Sequence, residues 1–234
     1  RIGIYKSYIP TAEEGWTRFI FDDYGFNYTS LTDEDIREGG LSERFDSILI
    51  PHQPPSHIHL GHDRSIYAHQ FSGGLGEKGA DRLHDFVRHG GTLIAWDGGA
   101  RYAIQHLGLP VRNVLEGMSR SEFFAPGSLL NVILDTSHPI TYGMPDQTAT
   151  MFVNGPAFQG RKTYIVGKYP LHNPLLSGWI VNPEKLSGKS ALSTVSIGKG
   201  EVILMGFRVH FRAQCRQTYK LLFNSLYYSA TRTY

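Results

Sequence analysis

A single cysteine, Cys215, stands in 234 residues. It excludes an intramolecular disulfide and a zinc cluster built on thiolates. No run approaches about 18 apolar residues, so no transmembrane helix is predicted. An excess of charge of one sign is also missing: 23 Lys and Arg stand against 21 Asp and Glu, a formal net charge of +2. That balance gives no electrostatic footprint for nucleic acid or for a membrane surface. Repeats, low-complexity tracts and a linker that would split the chain are absent, so residues 1–234 read as one domain. There is no signal peptide and no initiator Met. The chain opens in the apolar run Arg1-Ile2-Gly3-Ile4-Tyr5, which reads as a piece cut from a longer protein or as a processed mature chain.

What is present fits a globular domain with a buried core: 41% hydrophobic and 19% charged residues. Ile2 to Tyr5 reads as a buried strand. Pro10 onward opens a helix through about Tyr24, with Thr11 as its cap and Glu13 and Glu14 in its first turn. Phe26 to Thr29 reads as a second strand. A short helix runs from Thr32 to the Gly39-Gly40 stop. Asp46 to Pro51 is a third strand. Residues 52 to 76 form a long His-, Pro-, Ser- and Gly-rich loop, of a length that suits a functional or mobile segment. Glu77 to His89 is amphipathic, with Ala80, Leu83, Phe86 and Val87 on one face, and Gly90-Gly91 ends it. Thr92 to Asp97 is a central strand, turning at Gly98-Gly99 into a helix through about Leu107. Strand and helix alternate, which predicts a parallel sheet with right-handed crossovers.

The second half reads as a β-rich insertion. Short runs at Leu129–Leu134, Tyr164–Lys168, Ser177–Ile180 and Ala191–Ile197 are followed by a hairpin into Val202–Phe207. A last amphipathic helix covers about Gln214 to Ser229.

Several constellations could carry chemistry. Asp97-Gly98-Gly99 sits where nucleophile-elbow enzymes expose Ser or Cys above a sheet. Asp97 there reads as a base, nucleophile or ligand-binding group, or as a helix N-cap. His52, His57, His59, His62 and His69 lie in the long loop. His57-x-His59, with His62, offers imidazoles to a metal if the segment is extended, or is a solvated loop with stray histidines. Arg208, His210, Arg212 and Gln214 follow the last strand, at the carboxyl edge where open α/β sheets bind ligands. The arginines suit an anion, or one of them pairs with Asp97 or Glu14 to tie loops together. Glu13-Glu14-Gly15-Trp16 follows the first strand and belongs near the same edge, Trp16 either walling a pocket or packing its helix. Cys215 reads as a buried structural thiol. Gly74-x-Gly76-x-x-Gly79 follows a loop rather than a strand and fails as a dinucleotide fingerprint. Gly188-Lys189-Ser190 lacks the first P-loop glycine.

Taken in order, Glu14-Gly15-Trp16-Thr17-Arg18, Tyr24-Gly25-Phe26, Leu31-Thr32-Asp33, Phe45-Asp46 through Leu49-Ile50-Pro51 and Gly90-Gly91-Thr92-Leu93 form one pattern. Pro126-Gly127-Ser128-Leu129-Leu130, His138-Pro139 to Gly143-Met144-Pro145, Leu176-Ser177-Gly178-Trp179 and Gly206-Phe207-Arg208 to Phe211-Arg212-Ala213-Gln214 continue it. Over nearly the whole chain this resembles the accessory domain that follows the catalytic domain in some bacterial zinc carboxypeptidases of the M14 family. The resemblance implies a class I glutamine-amidotransferase-like fold, flavodoxin-like and doubly wound, with helices on both faces of a mainly parallel sheet. The amidotransferase elbow carries Cys, with a downstream His and Glu. Here Asp97 fills that position and His210 is followed by Phe211 and Arg212. The peptidase zinc signature, His-x-x-Glu with a later His, is absent.

The resemblance therefore implies a non-catalytic accessory domain that binds, docks or stabilises, in a secreted or periplasmic protein. Its partner is a metallopeptidase domain of the same polypeptide, with a small anionic or peptide ligand as a further candidate. No cofactor is expected in this domain, and zinc only in the absent peptidase domain. The competing readings are a hydrolase using Asp97 and His210, and a peptide- or sugar-binding module.

Overall fold

The computed structural model describes residues 1–232. The elements run β1 (Ile2–Tyr5), α1 (Ala12–Asp23), β2 (Thr29–Leu31), α2 (Asp33–Glu38), α3 (Leu41–Arg44), β3 (Ser47–Ile50), α4 (Pro55–Leu60), α5 (Gly76–Arg88), β4 (Thr92–Trp96) and α6 (Gly98–His106). Then follow β5 (Val111–Asn113), β6 (Ser128–Leu134), β7 (Gln147–Phe152), β8 (Phe158–Gly160), β9 (Thr163–Lys168), β10 (Leu175–Ser177), β11 (Ser190–Ile197), β12 (Gly200–Met205) and α7 (Arg216–Arg232). No described helix is long and apolar enough to cross a membrane.

Five strands lie side by side in the order β2-β1-β3-β4-β12, all parallel. This is the doubly wound, flavodoxin-like arrangement, with a switch point between β1 and β3. Strands β3, β4 and β12 are buried at every residue, as a sheet covered on both faces demands. Alternate side chains feed two separate cores. Ile4, Leu49, Ile94 and Ile203 meet α1 and α7 through Ile20, Phe21, Leu221 and Leu222. Tyr5, Ile48, Leu93 and Leu204 meet α2 to α6 through Ile36, Leu83, Ala103 and their neighbours.

Beyond β12 the sheet continues antiparallel through β11, β9, β6 and β10. Here β6 alternates buried and open positions, the pattern of a sheet with one wetter face.

Four local differences from the sequence reading have physical causes. The segment 52–76 contains α4, which starts on Pro55 at a position that costs no hydrogen bond. It buries only Ile58, so it carries no apolar periodicity. Strand β2 begins at Thr29, because Phe26 packs its ring on Phe21 and Phe223 instead of pairing. Strand β10 ends at Ser177, where Gly178 turns to φ +98°. Strands β5, β7 and β8 escape the pattern. In β7 two of the three buried positions hold Thr148 and Thr150, and the Thr150 hydroxyl donates to Leu130 O at 3.1 Å.

Candidate functional site

The carboxyl ends of β1, β3, β4 and β12 deliver four segments to one edge of the sheet. Asp97 follows β4 in a conformation that L-residues rarely adopt, φ 48° and ψ −111°. This is the strained strand-to-helix turn anticipated for an elbow. The two glycines after it are sterically required. A Cβ on Gly98 would lie 2.1 Å from Gln53 O, and one on Gly99 2.2 Å from Ile50 O. The elbow is thus pressed against the end of β3.

Asp97 occupies the N-cap position of α6, but its side chain caps nothing. It is 2% exposed and engaged elsewhere. The Arg208 Nε donates to Asp97 Oδ2. The other arms of the same guanidinium reach Glu13 Oε1 at 3.0 Å and His52 Nε2 at 2.8 Å. His52 Nδ1 lies 3.0 Å from Asp97 Oδ2. Because Nε2 faces a guanidinium, it must accept, so the proton sits on Nδ1 and is donated to Asp97. The Gly98 amide, 3.1 Å from the same Nδ1, is then a contact and not a hydrogen bond. Burial pushes the Asp97 carboxyl up, but the His52 hydrogen bond and the Arg208 guanidinium outweigh it and hold it below the usual carboxylate range.

His210 is fully buried behind this cluster. Its Nε2 lies 2.9 Å from Thr17 Oγ1. Its Nδ1 stands 3.6 Å from Glu13 Oε2, beyond hydrogen-bond reach, and both atoms are buried without a partner. Burial pushes the His210 imidazole down to about 4, against a raising pull from Glu13 and with a further lowering by Arg208. It is neutral at pH 7.

The arrangement ties together the start of α1, the end of β3, the elbow and the segment after β12. A general base needs a lone pair aimed at a substrate proton. Asp97 is sealed and held by two donors, and His210 touches Glu13 and Thr17 rather than Asp97.

The other sequence candidates fall around this core. Glu14 accepts from Arg18 Nε at 2.6 Å, one turn along α1, so Arg208 finds its second carboxylate in Glu13. Trp16 packs edge-to-face on Phe19 at 5.6 Å. Arg212 is exposed, at φ +54°, with its guanidinium over the Phe211 ring. Gln214 is exposed and anchors its amide to His210 O. His57, His59 and His62 do not converge. His57 and His59 sit on α4, where residues two apart do not share a face, and His62 stacks on Tyr67. The Cys215 thiol is half-buried and raised by that burial.

Sequence reasoning brought Glu13 to this edge without giving it a partner, and did not place His52 or Thr17 in the site. Two signals were present: Glu13 and Thr17 are four apart on one face of α1, and His52 follows the end of β3 by two residues.

Beside the elbow lies a cavity of about 260 Å³, bordered by Arg101, Arg120, Phe123, Phe124, Asn154 and Gly155. Arg101 belongs to α6, one turn beyond Asp97, and its Nε is buried without a partner.

No family model and no curated protein matches the chain. Solved structures do. The chain is similar to a β-galactosidase from Bacillus circulans sp. alkalophilus, with 8% identity and a TM-score of 0.59 over 98% of this chain and 31% of that one. A protein assigned as one of the subunits of GMP synthase, from Thermoplasma acidophilum, matches with 9% identity and a TM-score of 0.58, over 98% of this chain and 94% of that one. A glutamine amidotransferase from Thermotoga maritima matches with 11% identity and a TM-score of 0.54, over 95% and 80%. These likenesses are of fold, and the fold is class I glutamine-amidotransferase-like. The chain spans about a third of the length of the β-galactosidase.

Proposed function

We propose that this chain is a non-catalytic accessory domain, and that its degenerate elbow serves as a structural tie. The observation that carries the reading is the closed Asp97–Arg208–Glu13–His52 network, in which the nucleophile position is a buried acid held by donors from two other segments. Freeing Asp97 for hydrolysis would leave Arg208 short of a buried partner, a state that costs several kcal/mol, on the order of 3–5. The fit of the whole fold into about a third of a much larger glycosidase supports a role as one part of a longer polypeptide. The sequence resemblance supports an M14-like zinc carboxypeptidase as the parent, secreted or periplasmic, with zinc and chemistry in the peptidase domain and this domain docking or stabilising it.

The test is the polypeptide itself. The reading expects a zinc-peptidase domain upstream of Arg1. It also expects that removing residues 1–234 lowers the stability or substrate affinity of that enzyme and leaves its turnover intact. Loss of turnover on replacing Asp97 with Asn, in a protein that still folds, would contradict it.

A second reading, a module for a small anionic or peptide ligand, is favoured by the cavity beside the elbow. Arg101 and Arg120 supply positive charge there, and Phe123 and Phe124 supply apolar walls. A thermal-shift screen with carboxylates, peptides and sugars tests it. A ligand that binds the native state must raise the melting temperature, and Arg120→Ala should abolish that rise.

A further inference from the structure

Far from the elbow, at the other end of α6, three metal-competent side chains come from three different helices. His59 belongs to α4, Glu77 to the first turn of α5 and His106 to the last turn of α6. Their ligand atoms lie within 4.8 Å of one another. The His59 and His106 rings stack at 4.0 Å and 11°, and His59 Nε2 is 3.5 Å from Glu77 Oε1. Asp97 precedes the first residue of α6 and His106 is its last. At 1.5 Å per residue, this cluster stands roughly 13 Å from the elbow network.

The backbone under His59 is held rigidly. Leu75 donates its amide to Ile58 O at 2.8 Å, and Gly73 donates to His62 O at 2.8 Å. A Cβ on Gly61 would lie 1.9 Å from Gly73 O, and one on Gly74 2.4 Å from Ile58 O. These contacts fix α4 against the start of α5, and so fix the Cα of His59 relative to that of Glu77. One ligand atom remains unsatisfied. His59 Nδ1 is buried without a hydrogen-bond partner, an unfavourable state for a polar atom. Glu77 is 81% exposed and free to swing. A cavity of about 600 Å³ bordered by His59, Gly74, Glu77 and Arg37 gives access from solvent.

We infer that His59, Glu77 and His106 form a binding site for a divalent transition-metal ion of the zinc class, which clasps α4, α5 and α6 and leaves a coordination position open. Two imidazoles and one carboxylate are the borderline donor set that zinc takes. Tetrahedral coordination at about 2.0–2.1 Å brings ligand atoms to roughly 3.3 Å of one another. Rotation of the Glu77 side chain and of the His106 ring out of its stack closes the present spacing. The site uses His59 but neither His57 nor His62, and it does not depend on the accessory role proposed above.

The test is calorimetric titration of the whole chain with zinc chloride, alongside thermal unfolding with and without the ion. One saturable ion per chain and a raised melting temperature are expected. His59→Ala and Glu77→Gln should each weaken binding by at least the ~10–100-fold that even an outer-sphere partner is worth. His57→Ala, at an exposed position of the same helix, should leave it unchanged. Glu77→Gln alters an exposed side chain, so its result stands even if the histidine variant folds poorly. Absence of saturable binding, or an affinity that survives both substitutions, overturns the inference.

Discussion

The two ends of α6 place polar groups in opposite states. At its start, Asp97 is sealed and accepts from His52 and Arg208, and Arg208 also donates to Glu13 Oε1. At its end, His106 stacks on an imidazole whose buried nitrogen has no partner, next to a carboxylate that faces solvent. A carboxylate sealed from solvent and held by two donors offers a ligand little, and it contributes by holding segments in place. A cluster with an unpartnered imidazole nitrogen and a solvent path gains when something binds.

Substitutions can break this contrast. The largest effect is expected for Arg208→Met, which strands Asp97 and Glu13 together. It should lower stability by about 3–5 kcal/mol in urea or guanidinium unfolding. The pH dependence follows next. The His210 value falls from roughly 6.5 in the unfolded chain to about 4 in the fold, so the unfolded state binds the extra proton between those limits. Stability should then decline by about 3 kcal/mol as pH drops from 6.5 to 4, and His210→Gln should flatten that slope. Asp97 acts in a lower window. Its folded value is depressed, so its contribution is complete above the ordinary carboxylate range and disappears only as pH falls through the folded value. Gly98→Ala should cost about 1–3 kcal/mol by driving a methyl group into Gln53 O. At the other end of the helix, Glu77→Gln without added metal should change stability by less than about 0.5 kcal/mol, because the carboxylate is solvated.

Much of the parallel half was legible in the residues. Thr92 to Trp96 is a continuous apolar strand because both faces are covered, and Thr32 with Asp35 forms the capping box that starts α2. The elbow showed itself through Asp97-Gly98-Gly99, since only glycine fits against the end of β3. The antiparallel half was less readable, because β7 buries Thr148 and Thr150 where apolar side chains would mark an alternating strand, and the Thr150 hydroxyl bonds the neighbouring strand. At the site, a tie between an arginine and Asp97 could be anticipated from position. Glu13 as its second carboxylate could not, since adjacent glutamates differ only in helical phase. The histidine cluster was invisible for a similar reason. His59, Glu77 and His106 are far apart in sequence, and they meet only when the segment after β3 folds as a helix instead of a loop.

The proposed reading takes Asp97 as a structural partner of Arg208 and not as a base. A double-mutant cycle with Asp97→Asn and Arg208→Met, read by denaturant unfolding, tests this most directly. The expected result is a large loss for each single change and a coupling energy of about 0.5–3 kcal/mol, so that the double variant is more stable than the sum of the two losses implies. Additive effects, or an Asp97→Asn variant as stable as the parent chain, would contradict it.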